Sequence, residues 1–175
     1  MKRIVYLYGG PATGKSTTAA QLFAEAKKIG INAELVREYI KDWMWEDREI
    51  KPGDQTYIAA KQSRKERICF NDVDLIVSDS PMYLGQFYEE KYDKTPHVVR
   101  HIIKKHEQIA REHGFEFLHI FLNRSPGFNP LGRAHSEEES IQIDGEIRSM
   151  LDDHGINYHV MDTNSAADQI LSIIK

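Results

Sequence analysis

The 175-residue sequence contains a single cysteine, Cys69. One thiol can neither close an intrachain disulfide nor build an all-cysteine zinc site, so no stapled framework is expected. No apolar run approaches the roughly 20 residues needed to cross a bilayer, so no membrane partner is expected. The opening Met1-Lys2-Arg3 leads into an apolar stretch of residues 4–8 that meets glycine at once. That is too short for a secretory leader, and the cytoplasm is the expected location. Positive charge is not in excess: Lys and Arg total 23 against 27 Asp and Glu, a formal net charge of -4. A general polyanion binder is therefore disfavoured, while a local basic cleft for phosphate is compatible with it. Internal repeats, low-complexity tracts and long linkers are also missing, and the length fits one domain over 1–175. Hydrophobic residues at 41% and charged residues at 29% give a soluble, globular composition.

What the chain does contain is an alternation of strand and helix, the mark of a layered α/β fold. Residues 4–8 are nearly continuously apolar, as a buried parallel strand should be. A loop over 9–14 leads to a helix expected over 15–29, with Leu22, Phe23, Ala26 and Ile29 on its apolar face and Gly30 as its stop. A strand over 33–36 precedes an aromatic and charged stretch, 37–45, and a turn at 51–54. A helix over 55–70 and a strand over 74–79 come next. Thr95-Pro96 has the look of a cap and first turn for a helix ending at 113. A strand over 117–122 follows. Ser136 and Glu139 have capping-box spacing and open a helix to about 154. A strand over 158–161 and a helix over 166–174 close the chain.

Gly9-Gly10-Pro11-Ala12-Thr13-Gly14-Lys15-Ser16 satisfies G-x-x-x-x-G-K-[ST] in full, between the first strand and the first helix. The glycines let backbone wrap closely around phosphate, and the amides and helix N-terminus face the anion. Gly10, Ala12, Thr13, Gly14, Lys15, Ser16 and Thr17 are the expected contacts to ATP. Lys15 reaches the β and γ phosphates and Ser16 holds magnesium. Asp79 closes the next strong buried strand. It is the expected second carboxylate, either in the magnesium shell or accepting a proton from a substrate hydroxyl. Asp74, at the other end of that strand, reads as a surface turn residue.

With these features the chain resembles the small P-loop kinases of nucleosides, nucleotides and nicotinamide riboside. It is most similar to the nicotinamide riboside kinase-like ATPase/kinase proteins of bacteria and phages. The resemblance implies a three-layer P-loop NTPase fold with a five-stranded parallel sheet, order 2-3-1-4-5, and a short lid at about 124–136. It also implies a carboxylate at the phosphoryl acceptor just after the second strand; Glu38 holds that place, with Trp43 five residues on. That arrangement is similar to the one in deoxynucleoside kinases, which usually carry an Asp-Arg or Glu-Arg pair after the third strand. Asp79-Ser80-Pro81 lacks that arginine, and Arg37 is the candidate to supply the charge. Arg124 and Arg133 bracket a segment rich in proline and glycine, suited to a lid whose arginines clamp the transferring phosphoryl group. Asn129-Pro130-Leu131-Gly132-Arg133 is similar to the lid stretch of the nicotinamide riboside kinase-like proteins. His135 is a further contact or plain polar surface.

From the residues alone, Glu38 can orient a hydroxyl and take its proton, or can be a surface glutamate at a helix start. Tyr39, Trp43 and Trp45 can stack on a base or nicotinamide-like ring, with at least one of them expected in the core. Lys61, Arg64 and Lys65 share a helix face that is either a site for a substrate phosphate or nucleic-acid backbone, or simply solvated. Glu137, Glu138 and Glu139 favour the dipole of the helix they open. His97, His101, His106 and His113 have no ligand spacing, and no zinc site is expected. The expected function is ATP-dependent phosphoryl transfer to a hydroxyl of a nucleoside, nucleotide or nucleoside-like ribosyl compound. The alternatives are the same chemistry on a hydroxymethylated base or end within DNA, and a P-loop ATPase or switch acting on a protein partner. A monomer or homodimer suits all three.

Overall fold

A computed structural model describes residues 1–93, 97–124 and 136–175. The described elements are β1 (Lys2–Tyr8), α1 (Lys15–Lys28), β2 (Ala33–Val36), α2 (Lys41–Trp45), α3 (Asp54–Arg67), β3 (Leu75–Ser78), α4 (Met82–Tyr92), α5 (Val98–Glu112), β4 (Phe115–Asn123), α6 (Glu137–Asp153), β5 (Tyr158–Asp162) and α7 (Thr163–Ile174). The strands form one sheet in the order β2-β3-β1-β4-β5. Every neighbouring pair is parallel. This is the three-layer α/β P-loop NTPase fold.

The central strand explains the layering. Successive side chains of a strand point to opposite faces. Ile4, Tyr6 and Tyr8 pack into one core with Phe70, Ile76, Phe121 and Ile147, beneath α3 to α6. Val5 and Leu7 pack into the other with Leu22, Ala26, Ile120 and Ile170, beneath α1 and α7. A strand buried on both faces has no reason to alternate, hence its continuous apolar run.

Parallel pairing also sends the C-terminal ends of β1, β2, β3 and β4 to one edge, where α/β proteins bind ligands. The register brings Val36 and Tyr6 level with Ser78, so β2 and β3 end together and β1 runs two residues further before its loop begins.

Two elements escape the periodicity reading. The inward face of α4 carries Gln86 and Glu89 beside Met82, Leu84 and Phe87, so its apolar stripe is broken by polar groups. The short α2 is held by the burial of Trp43. The capping box of α6 is present: Ser136 Oγ accepts from the Glu139 amide at 3.2 Å, and Glu139 Oε2 accepts from the Ser136 amide at 2.8 Å. The cap expected at Thr95-Pro96 lies outside the described residues. The buried Glu89 accepts the amides of His97 (3.0 Å) and Val99 (3.2 Å) at the start of α5. Among the described residues no helix is long and apolar enough to cross a membrane.

Candidate phosphate and acceptor site

At the end of β1 the chain turns through Gly9 (φ 140), Ala12 (φ 61) and Gly14 (φ 85) before α1 begins at Lys15. Gly14 is the N-cap and offers no side-chain acceptor, and the first turn of α1 carries no acidic residue. The leading amides of a helix then suit an anion. Lys15 Nζ donates to the carbonyls of Gly9 (2.6 Å) and Gly10 (2.8 Å), holding the ammonium over the loop. Thr13 Oγ1 donates to Gly10 O at 2.9 Å. Ser16 and Thr17 are exposed on the first turn of α1.

Two elements far along the chain buttress this loop. Thr163, first residue of α7, shares its hydroxyl proton between the carbonyls of Thr13 (2.9 Å) and Asn123 (2.8 Å). Its methyl group lies 2.5 Å from where a Cβ on Gly14 would stand, so residue 14 must lack one for space as well as for its φ. Asp144 of α6 accepts the Gly10 amide on Oδ1 at 2.5 Å. Its other oxygen is held by Arg124, from Nη2 at 2.8 Å and Nε at 3.1 Å.

On the other side of the loop, Asp79 follows β3 and is 5% exposed. Its Oδ1 accepts the backbone amide of Glu38 at 2.9 Å, which ties the second residue after β2 to the residue after β3. Gln62 of α3 braces the same place, accepting the Tyr39 amide at 3.1 Å and reaching Ser78 Oγ at 3.4 Å. A cavity of about 500 Å³ opens here. Gly9, Pro11 and Lys15 form its phosphate-loop wall, Glu38 another, and α3 and α4 contribute Ile58, Gln62, Met82, Gly85 and Tyr88. Burial, and next the negative charge of Glu38, raise the Tyr88 phenol well above its ordinary value.

The expected site residues separate into groups. Lys15 and Glu38 share the cavity, and Asp79 stands directly behind Glu38. Arg37 is exposed and does not line the cavity; its carbonyl accepts from Lys65 Nζ at 2.9 Å. Trp43 is 4% exposed and also off the cavity wall. It stacks on Tyr57 (6.1 Å, 24°) and carries the Arg48 guanidinium at 3.4 Å on its face, so its rings serve the packing of α2 on α3. Trp45 is exposed. Arg64 lies on the solvated face of α3, away from the cavity lining. Arg133 and His135, with nearly all of the expected lid, lie outside the described residues. Among the described residues no group of three or more His, Cys, Asp and Glu is placed to hold a metal ion.

Asp144, Thr163, Gln62 and the α4 residues Gly85 and Tyr88 are the contributors that sequence reasoning missed. Asp144 sits beside the apolar stripe of α6, and no motif links it to a glycine 134 positions earlier. The G-K-S motif requires a support for its loop, but not a particular one.

A family model described as an AAA domain matches residues 4–169, and the chain belongs to that family. No curated protein matches it. Among solved structures, the chain is similar to a NadR protein in complex with NR, with a TM-score of 0.63 and 19% identity over 92% of this chain and 43% of that one. A NadR protein in complex with NAD and AMP-PNP matches with a TM-score of 0.67 and 18% identity, over 97% of this chain and 48% of that one. A third structure, APE1195, matches with a TM-score of 0.54 and 20% identity over 99% of this chain and 94% of that one. The chain thus spans less than half the length of the NadR chains it matches. These likenesses are at the level of fold, and that fold is the P-loop kinase-like one expected from the resemblance to nicotinamide riboside kinase-like proteins.

Proposed function

We propose that this protein is an ATP-dependent kinase that phosphorylates a hydroxyl of a free nucleoside, nucleotide or nucleoside-like ribosyl compound. One observation carries the reading: Lys15 of the phosphate loop and Glu38 line the same cavity. A nucleotide switch needs the loop alone. A kinase needs beside it a pocket for a second molecule, and about 500 Å³ lies within the range of small-ligand sites. The likeness in fold to a NadR protein in complex with NR and to one in complex with NAD and AMP-PNP supports the reading.

The residues present fit a nucleoside triphosphate and magnesium. Backbone is left-handed at Ala12 and Gly14, the N-terminus of α1 is uncapped by side chains, and an exposed Ser16 hydroxyl follows Lys15. Ser16 and Asp79 would hold magnesium, which neutralises charge on the phosphates when bound. Glu38 orients the acceptor hydroxyl and takes its proton. The hydroxyl oxygen bonds to the γ-phosphorus, the bond from that phosphorus to the β–γ bridging oxygen breaks, and ADP leaves with the electron pair. Lys15 stabilises the charge on the oxygens in transfer. Asp79 fixes Glu38 through its backbone amide. Arg133, from the lid, completes the clamp on the transferring group.

The balance of charge favours a free acceptor over DNA: the sequence carries a formal net charge of -4, and a nucleic-acid backbone calls for an excess of positive charge. The charged residues lining the cavity offer no such excess, with Lys15, Lys41 and Lys51 matched by Glu38, Glu89 and Asp93. The deciding experiment incubates the protein with γ-labelled ATP, magnesium and pooled acceptors: nucleosides, nucleoside monophosphates, nicotinamide riboside, and plain or hydroxymethylpyrimidine DNA. Label is expected on one free acceptor and lost in Glu38→Gln. Label on DNA would move the acceptor into a polymer, and label only in free phosphate would overturn the kinase reading in favour of an ATPase or switch.

A further inference from the structure

We propose that Arg124 and Asp144 are a positioning pair that sets the peptide planes of the phosphate loop, so that Arg124 governs nucleotide affinity and does not contact the phosphoryl group in transfer. The inference deepens the kinase reading, but its binding test rests on nucleotide affinity alone.

Arg124 has five N–H donors, and four are engaged within the protein. Nε and one Nη2–H bond Asp144 Oδ2, at 3.1 and 2.8 Å. The other Nη2–H bonds Ser140 O at 3.1 Å, and one Nη1–H bonds Pro11 O at 2.9 Å. Both side chains of the pair are largely buried, at 15% and 17% exposure. To turn its guanidinium fork onto a phosphate, Arg124 would have to break this set and leave Asp144 with the Gly10 amide alone among the described partners.

Two consecutive loop residues hang on the pair. In a trans peptide the C=O and the following N–H point to opposite sides of one plane, and the described chain has no cis peptide. Asp144 draws the Gly10 N–H toward α6, which turns the Gly9 carbonyl the other way, onto Lys15 Nζ at 2.6 Å. Arg124 draws the Pro11 carbonyl toward itself, which turns the Ala12 N–H to the opposite side. Ala12 sits at φ 61, a conformation alanine resists, so an outside anchor is needed to hold that plane. Close approach is built in at Gly10, where a Cβ would stand 2.8 Å from both Asp144 Oδ1 and Ser140 O.

The test compares wild type with Arg124→Lys, Asp144→Asn and the double variant. The readouts are calorimetric titration with magnesium and AMP-PNP, and kcat and KM on the labelled acceptor. Loss of a buried, charge-assisted network should raise the AMP-PNP Kd about ten-fold or more in each single variant. The double should be no weaker than the weaker single, and kcat at saturating ATP should fall far less than affinity. Arg124→Lys keeps the charge and loses only the fork, so it tests the pair even if Asp144→Asn does not fold. An unchanged Kd in Arg124→Lys with kcat down about 100-fold would make Arg124 catalytic and overturn the proposal. Unchanged affinity in a folded Asp144→Asn would overturn it too. If wild type binds AMP-PNP but labels no acceptor, the kinase reading fails while the affinity test still decides this one. If wild type binds no nucleotide, both fail.

Discussion

Replacing His106 with leucine removes one of the two partners of a carboxylate that water does not reach. Glu66 on α3 and His106 on α5 are both fully buried, with Oε2 and Nε2 3.0 Å apart. Tyr6 of β1 donates to the same Oε2 at 2.8 Å, and Ser63 Oγ lies 3.0 Å from His106 Nδ1. Glu66 Oε1 has no partner among the described residues. Burial, and then the charge of Glu66, push the Tyr6 phenol well above its usual value. Removing one member of a buried pair strands the other and costs about 3–5 kcal/mol. Against a total of about 5–15 kcal/mol this is a large fraction. For a chain of this size it lowers Tm by roughly 6–20 °C. The double variant Glu66→Leu/His106→Leu leaves no stranded carboxylate but takes the partners of the buried Tyr6 and Ser63 hydroxyls, so it should recover part of the loss and lie about 1–3 kcal/mol below wild type. Urea unfolding at constant m measures both. A single variant within about 1 kcal/mol of wild type, or a double as unstable as the sum of the singles, would refute the reasoning.

Two further outcomes follow from the structure. His119 lies in the Tyr8–Phe117 cluster with Nδ1 2.8 Å from the Tyr8 hydroxyl; burial, and then the charge of Arg111, pull its pKa from 6.5 to about 4. Its folded pKa is depressed, so its contribution is present above about 6.5 and is lost as pH falls through about 4. At pH 5 the loss should be about 2 kcal/mol, and His119→Gln should show a smaller decline between pH 7.5 and 5 in urea unfolding. Gly85 of α4 lines the cavity proposed for the acceptor, and a Cβ there meets nothing closer than 3.7 Å, so Gly85→Leu should fold. It should raise the acceptor KM about ten-fold or more while AMP-PNP affinity stays at the wild-type value, because the added side chain occupies acceptor space alone; equal loss of both would count against the cavity assignment.

The elements read from sequence are those whose signal is local. β1 is legible because it is buried on both faces, α6 because Ser136 and Glu139 cap it, and the phosphate loop because its motif sits between a strand and a helix. α4 was not legible: two of the five residues it buries are Gln86 and Glu89, and among the described residues Glu89 is met by backbone amides at the start of a different helix. Trp43 illustrates the opposite error. An aromatic beside a candidate acceptor carboxylate invites a stacking role, but Tyr57 and Arg48 occupy both of its uses. No property of residues 38–45 taken alone distinguishes those two outcomes.

The sequence by itself determined the α/β class and the phosphate loop with its lysine, because each depends on residues within a few positions of one another. Only the tertiary structure decided what supports them. It placed Asp79 behind the Glu38 amide, 41 positions away, and seated Thr163 and Asp144 against a loop at positions 9–14. Parallel pairing is the physical reason. It delivers the ends of strands distant in sequence to one edge of the sheet, where hydrogen bonds between them become short-range in space while remaining long-range in the chain.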